Sequence, residues 1–459
     1  MNAPSDGYLS APLERDTDLL ALHSAWPERY PFLLESADGC GRIARYDLLL
    51  MASDEFLSLS PRQELHSNVH GLTESPGFLD ALNNWQSRES VPVTDSHLPF
   101  IGGWFLYLGY ELAAEIEPRL VLPSAQSELP NALAVRCPAA IIRDKRNAQS
   151  WLIAENAEVL HQLRSDAETH LPRDEAERQA SGRVRLVEDA PEAYTQAVER
   201  IKEYILAGDV FQVNLSRSWQ GVIEGEISTP QLYADLRRAN PAPFAGLMHW
   251  AGSTVLSSSP ERLVEVRGRQ VQTRPIAGTR PRSRQEQADD PERQALMAHP
   301  KERAEHIMLI DLERNDLGRI CESGSVLVDE LMVLESYAHV HHIVSNVSGK
   351  LRKDVSAGDV IRAVFPGGTI TGCPKVRCME IIAELEQNGR GYYTGAMGYL
   401  DRRGNMDLNI LIRCLERQGN HLAFRTGAGI VADSVAENEL LETRAKARGI
   451  LRAINNHDH

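Results

Sequence analysis

Cysteine is sparse in this sequence and never arranged for pairing: Cys40, Cys137, Cys321, Cys373, Cys378 and Cys414 include no C-x-x-C. In a chain of 459 residues whose N-terminus, MNAPSDGYLSAPLERD, carries acids and prolines but no apolar leader, this predicts reduced thiols and a cytoplasmic location, not a disulfide framework. No run approaches the roughly 18 apolar residues that span a bilayer, so no membrane partner is expected. Basic charge is short as well: 49 Lys and Arg against 64 Asp and Glu leave a net −15. That argues against a nucleic-acid partner, because neutralising phosphates needs clustered Lys and Arg. There is no G-x-S-x-G, no dinucleotide fingerprint and no recognisable Ser/His/Asp or Cys/His arrangement. Internal repeats and low-complexity tracts are absent too.

What is present is an ordinary globular composition, 42% apolar and 25% charged, in a chain long enough for one large domain or two or three smaller ones. Two apolar runs within residues 30–54 flank a Gly-containing turn and predict strands. Residues 98–112, LPFIGGWFLYLGYEL, predict a buried segment. Residues 155–183 predict a helix followed by a solvated connection. The second half is better patterned. Tyr194, Ala197, Val198, Ile201 and Ile205 fall at helical spacing, between Pro191 in a first turn and Gly208 at a C-terminal cap. FQVNLSRSW, STVLSSS, RLVEVRG and HVHHIVSNVSGKL predict strands. PKVRCMEIIAELEQNG predicts a helix with Pro374 at its start and Gly389 beyond its end. YYTGAMGYL, MDLNILIRCLE and HLAFRTGAGIV predict successive antiparallel strands, and ENELLETRAKARGILRAI a closing helix. Strands in runs with helices between them indicate an α+β fold.

Four constellations can carry chemistry. Glu302 and Glu305 form one E-x-x-E pair and Glu439 and Glu442 another. Residues three apart share a helix face, so each pair is either a solvated acidic face or half of a carboxylate cluster. A cluster of oxygen ligands would suit Mg²⁺ or Ca²⁺ better than Zn²⁺. His306 permits a mixed carboxylate–His reading. PGGTITGCPK, residues 366–375, leads glycines and threonines into a helix, either as a flexible entry or as an anion-binding turn. It is not a Walker A loop, since Gly372 is followed by Cys-Pro-Lys. RTGAGIV, residues 425–431, reads either as a bulge or as a place where Gly427 and Gly429 let a carboxylate approach the backbone. Glu261 in SSSPERL would be a general acid if burial raised its pKa, or otherwise a surface Glu–Arg pair. His342 reads as a strand histidine or an active-site one.

Taken in order, AGDVFQVNLS, SPERL, RPIAGTRPR, ERAEHIMLIDLERNDLGR, PGGTITGCPKVRCMEII, GYYTGAMGYL and RTGAGIVADS resemble the chorismate-utilising enzymes, which include anthranilate, aminodeoxychorismate, isochorismate and salicylate synthases. The resemblance is strong over about residues 190–455 and looser before them. It implies a core of two β-sheets packed face to face and wrapped by helices. Residues 1–185 would be integrated with that core, and 186–459 would form the chorismate-binding catalytic domain. It implies Mg²⁺ as cofactor, with Glu305 and Glu442 as direct ligands and Glu302 and Glu439 as water-bridged neighbours. Tyr393, Arg413, Gly427 and Gly429 resemble the groups that hold the enolpyruvyl carboxylate. Glu261 resembles the acid that protonates the departing C4 hydroxyl, and His342 and Lys446 match active-site positions near the ring. Ala277, Thr279, Thr369 and Lys375 fall beside the substrate.

Gln212 sits where hydroxylating members carry a water-activating Lys, which implies ammonia as nucleophile. QVNL at 212–215, NPAPF at 240–244, PGGTITG and MDLNI at 406–410 resemble the members that aminate carbon 4, giving 4-amino-4-deoxychorismate for 4-aminobenzoate and folate. PIAGT at 275–279 has Ala277 where many of those members have a nucleophilic Lys. It matches the alternative, 2-amination with loss of pyruvate, as in anthranilate synthase and tryptophan biosynthesis. The resemblance favours 4-amination. It also implies a glutamine amidotransferase subunit as the source of ammonia. LLES at 33–36 resembles the tryptophan-binding element of anthranilate synthases, which makes Glu35, Ser36 and Asn240 candidate tryptophan contacts; an ordinary turn between strands is the other reading.

Overall fold

The structure is a computed structural model describing residues 7–14, 17–37, 45–92, 96–169, 182–281, 300–336 and 340–455. Of residues 277, 279–281, 300–302 and 340 the backbone alone is described. The alternating segments of the sequence build two antiparallel sheets, of 12 and 11 strands among the described residues. Both halves of the chain contribute to both sheets. In the larger sheet Phe32–Glu35 joins Phe244–Trp250, with Leu33 opposite Leu247. In the smaller, Gly103–Leu108 joins Ala396–Asp401, with Leu106 opposite Gly398.

The sheets pack face to face. Period-2 alternation turns Phe32, Leu48, Leu50 and Val255 of one sheet onto Phe105, Leu133, Val135 and Met397 of the other. The Phe32 and Phe105 rings stack across the interface at 3.9 Å and 3°. Helices cover the outer faces. Thr229–Ala239 and Ala436–Asn455 lie on the larger sheet, and Phe78–Glu89, Pro300–Gly318 and Ala357–Val364 on the smaller. Thr443, Ala447, Ile450 and Ile454 form the buried stripe of the terminal helix at i, i+4, i+7 and i+11. Pro191–Leu206 and Lys375–Glu386 pack on the strand Gln212–Glu224 through Val198, Ile201, Val213, Leu215 and Ile381. The α+β expectation and the face-to-face sheets wrapped by helices both hold. Among the described residues no helix is long and apolar enough to cross a membrane.

The helix after Pro374 ends at Glu386 with Gln387 as its cap, in the left-handed region at φ 54, so Gly389 lies beyond its end as expected. One expectation needs correction, that MDLNILIRCLE is a single strand. It is two strands in different sheets. Met406–Ile410 pairs in the smaller sheet, and Cys414–Gln418 pairs in the larger with Ser253–Ser259. The chain passes between the sheets at Leu411–Arg413, where Arg413 takes φ 54. SSSPERL makes the same passage, since Ser253–Ser259 lies in the larger sheet and Arg262–Arg267 in the smaller. The two passages are tied together: Ile410 N–H donates to Glu261 O at 3.0 Å and Ser258 N–H to Arg413 O at 3.2 Å.

Candidate active site

These paired passages place Glu261 and Arg413 between the sheets. Glu261 is 5% exposed. Burial pushes its pKa up to about 8; the adjacent Thr369 hydroxyl, the Ile276 N–H and Lys446 oppose the rise, and the charge of Glu313 adds to it. A carboxyl in that state is protonated at neutral pH and can donate. Burial lowers the Arg413 pKa, against the attraction of Tyr393 and Glu442. Its Nη1 donates to Lys446 O at 2.9 Å, which fixes the guanidinium to the terminal helix. His342 faces Arg413, and burial first, then that charge, lowers it to about 4. It is therefore neutral in the site.

Gly427 and Gly429 form the wall opposite. A Cβ on Gly427 would lie 2.7 Å from Leu215 O and 2.9 Å from both Asn214 Oδ1 and the Tyr393 hydroxyl. A Cβ on Gly429 would lie 2.2 Å from Gln212 Nε2. The missing side chains are what admit two carboxamides and a phenol against this strand. Lys446 Nζ donates to Gly427 O at 2.8 Å and pairs with Glu442 at 2.8 Å. The structure thus brings together Glu261, His342, Arg413, Tyr393, Gly427, Gly429, Lys446 and Glu442. Two cations, a phenol and a glycine strand face a protonated carboxyl. That arrangement can hold a small anion and protonate a group leaving from it.

Thr369 lies beside Glu261, but Lys375 is committed elsewhere, with Nζ 2.6 Å from Asp316 Oδ2. The side chains of Ala277, Thr279 and Glu302 lie outside the described residues; Ala277 and Thr279 sit on a strand paired with Val340–Lys350, and Glu302 on the helix Pro300–Gly318. Glu305 lies on that same helix, while Glu439 and Glu442 are on the terminal helix. As oxygen-only donors these carboxylates suit Mg²⁺. Among the described residues, however, no group of three or more His, Cys, Asp or Glu side chains is placed to hold a metal ion. His306 bonds Ser345 Oγ at 2.6 Å.

Glu35 and Ser36 line a separate cavity of about 480 Å³, together with Arg262, Arg267, Tyr399 and Asp407. The Glu35 carboxylate accepts from the Tyr233 hydroxyl at 2.7 Å and from Arg237 at 3.0 Å, and Ser36 Oγ donates to Pro243 O at 3.0 Å. Asn240 does not line this cavity. It caps the helix Thr229–Ala239 and faces Gly449.

Sequence reasoning missed the groups that brace the site. Glu386 accepts from Ser216 Oγ, Arg390 and Arg425 at 2.7–2.8 Å. Burial alone would raise its pKa, but Arg390 and Arg425 hold it below the usual value. Arg390 Nη2 also donates to Asn214 O at 2.7 Å, and Glu111 accepts its backbone N–H at 2.7 Å. This buried network fixes Asn214 and the turn that carries Tyr393. Glu313 and Asp316 were missed as well, although their i, i+3 spacing in LERND was a visible signal of a shared face.

The chorismate binding enzyme family matches residues 31–452. Aminodeoxychorismate synthase component 1 of Bacillus subtilis is 37% identical over 461 residues, covering 96% of each chain. Anthranilate synthase component 1 of Pseudomonas aeruginosa is 38% identical over 485 residues, covering 98% of this chain and 96% of that protein. The crystal structure of anthranilate synthase component I from Streptococcus pneumoniae superposes with a TM-score of 0.79 at 30% identity, over 89% of this chain and 92% of that one.

Proposed function

This chain belongs to the chorismate binding enzyme family, and we propose that within it the protein replaces the C4 hydroxyl of chorismate by an amino group, with ammonia from a separate glutaminase subunit. The observation that carries amination is Gln212. A carboxamide, which cannot act as a base, lies against Gly429 in the site wall. It can orient a neutral nucleophile but cannot deprotonate water. Arg413, Lys446, Tyr393 and the Gly427–Gly429 strand would hold the substrate's carboxylates. Glu261 would give its proton to the C4 oxygen, which leaves as water while ammonia forms the C–N bond and becomes the ammonium of the product, with the enolpyruvyl ether intact. Neutral His342 would donate or accept a hydrogen bond near the ring without adding charge. Ala277 offers no nucleophile, so ammonia itself would attack. The similarity to relatives named component 1 supports a partner subunit.

Mg²⁺ bound by Glu305 and Glu442, with Glu302 and Glu439 behind them, would neutralise the ring carboxylate. Glu442→Gln is expected to weaken Mg²⁺ binding at least about tenfold, in line with loss of a charged ligand. Calorimetry of Mg²⁺ titrated into the chorismate complex checks this, and an unchanged affinity removes Glu442 from the ligand set. Tryptophan, the ligand the sequence suggests for Glu35 and Ser36, would enter the cavity that these two residues line.

The product decides between the two aminations. The purified chain is incubated with chorismate, Mg²⁺ and ammonium chloride. The expected product is an amine that keeps its pyruvyl group and yields 4-aminobenzoate when aminodeoxychorismate lyase is added. Fluorescent anthranilate with released pyruvate would replace this reading by 2-amination.

A further inference from the structure

Glu261 is only 5% exposed, so when the new amine keeps its protons as an ammonium, the proton spent on the departing hydroxyl is replaced through the buried groups beside Glu261. Two consecutive residues of the turn Gly368–Ile370 address two different buried carboxyls. A Cβ on Gly368 would lie 3.4 Å from Glu313 Oε1, and the Thr369 hydroxyl lies beside Glu261. Glu313 is 7% exposed and also has the Thr273 hydroxyl beside it. Thr273 Oγ1 and Thr369 Oγ1 are both buried, and among the described residues neither has a hydrogen-bond partner. A hydroxyl without a fixed partner can accept a proton on one side and donate one on the other. One turn further along the same helix face, Asp316 pairs with Lys375 at 2.6 Å. Both residues line a cavity of about 800 Å³ between the helix Pro300–Gly318 and the start of Lys375–Glu386.

We propose that Glu313 is the proton reservoir of Glu261, linked to it through the Thr273 and Thr369 hydroxyls and refilled from the cavity where Asp316 and Lys375 stand. The proposal rests on Glu261 being the acid of the reaction proposed above. When the C4–O bond breaks, Glu261 gives its proton to the oxygen, which leaves as water, and becomes a carboxylate. Glu313 then passes its proton across the hydroxyls to Glu261 and takes one from water in the cavity. The new amine keeps all three protons of the attacking ammonia and leaves as its ammonium form, so one proton enters for each hydroxyl lost as water, and no oxidant or reductant is required. Glu313 is a positioning residue in this scheme, since it acts through Glu261.

The surrounding charges set the sign of the pH effect. Glu261 faces Glu313 and Lys446. Glu313 faces Asp316 on its own helix and Lys375 on the next. Removing the negative charge that Glu313 carries at alkaline pH lowers the Glu261 pKa.

The test is Glu313→Gln in the full chain, assayed with chorismate, Mg²⁺ and saturating ammonium across neutral and alkaline pH, beside the wild type in the same buffers. The expected result is a kcat lower by about tenfold or more, an unchanged chorismate KM, an alkaline limb moved to lower pH and a larger solvent deuterium isotope effect. Glu313→Asp is expected to restore part of the rate. Should Glu313→Gln fail to fold, Thr273→Val is expected to show the same split of kcat from KM and the same isotope effect. Wild-type kcat and an unmoved limb in folded Glu313→Gln, or wild-type kcat and isotope effect in Thr273→Val if that alone folds, overturn the relay. Glu261→Gln, run in parallel, separates the two readings. If it is as active as the wild type, Glu261 is not the acid, and that reading fails whatever Glu313 does.

Discussion

At Glu261 the ordinary carboxyl pKa of 4.5 rises to about 8 because the group is buried, and this couples the protonation of the proposed acid to stability. Between those two values the unfolded chain has released the proton and the folded chain still holds it. The folded state binds more protons, so stability falls as pH rises through this window, by about 1.4 kcal/mol per pH unit for one such group. Glu261→Gln keeps the shape and removes the titration. The melting temperature of the variant is expected to match the wild type near pH 4.5 and to exceed it by a growing margin toward pH 8, while kcat falls by roughly 10²–10⁴. Scanning calorimetry at stepped pH checks the first part; parallel melting curves at all pH values would mean that Glu261 titrates normally.

The elements decide which side chains meet. SPERL and LNILIRC each look in sequence like continuous or merely interrupted strands, because LNILIRC stays mostly apolar across its passage and SPERL is too short to mark a change of sheet. Only pairing reveals the passages at Pro260–Glu261 and Leu411–Arg413. RTGAGIV was legible as a special strand, since two glycines at i and i+2 weaken a strand without some local reason. The reason itself was not legible: Asn214, Gln212 and Tyr393 come from other segments and occupy the space of the absent Cβ atoms. Gly427→Ala would push a methyl group into Leu215 O, Asn214 and Tyr393. Its expected cost is about 1–3 kcal/mol of stability, with loss of chorismate affinity measurable by calorimetry. An alanine variant that binds chorismate as the wild type does would mean that this strand does not contact the ligand. Glu386 illustrates the opposite difficulty. Near a helix end in AELEQNG it has the pattern of a solvated acid, and only tertiary packing surrounds it with Arg390, Arg425 and Ser216.

Across the whole molecule, neither half of the chain completes a sheet. Residues 186–459 alone would expose the edge Phe244–Trp250 of one sheet and Ala396–Asp401 of the other, and would lose Phe32, Leu50, Phe105 and Val135 from the shared core. Long apolar sheet edges without a partner are aggregation-prone. This fragment is expected to be insoluble or to lack cooperative unfolding by circular dichroism, and to regain a cooperative transition when co-expressed with residues 1–185. A soluble fragment with a sharp melting transition would show that the two halves fold independently.

The sequence alone determined the elements, the α+β class and the resemblance to chorismate-utilising enzymes, because periodicity, caps and ordered motifs are local properties carried by consecutive residues. It also singled out Glu261, Gly427 and Lys446. The tertiary structure decided that burial raises the Glu261 pKa, that the Arg413 guanidinium is held by the Lys446 carbonyl, that Lys375 turns to Asp316, and that Asn240 does not line the cavity of Glu35 and Ser36. Burial and the field of neighbouring charges set those outcomes, and both depend on residues distant in the chain.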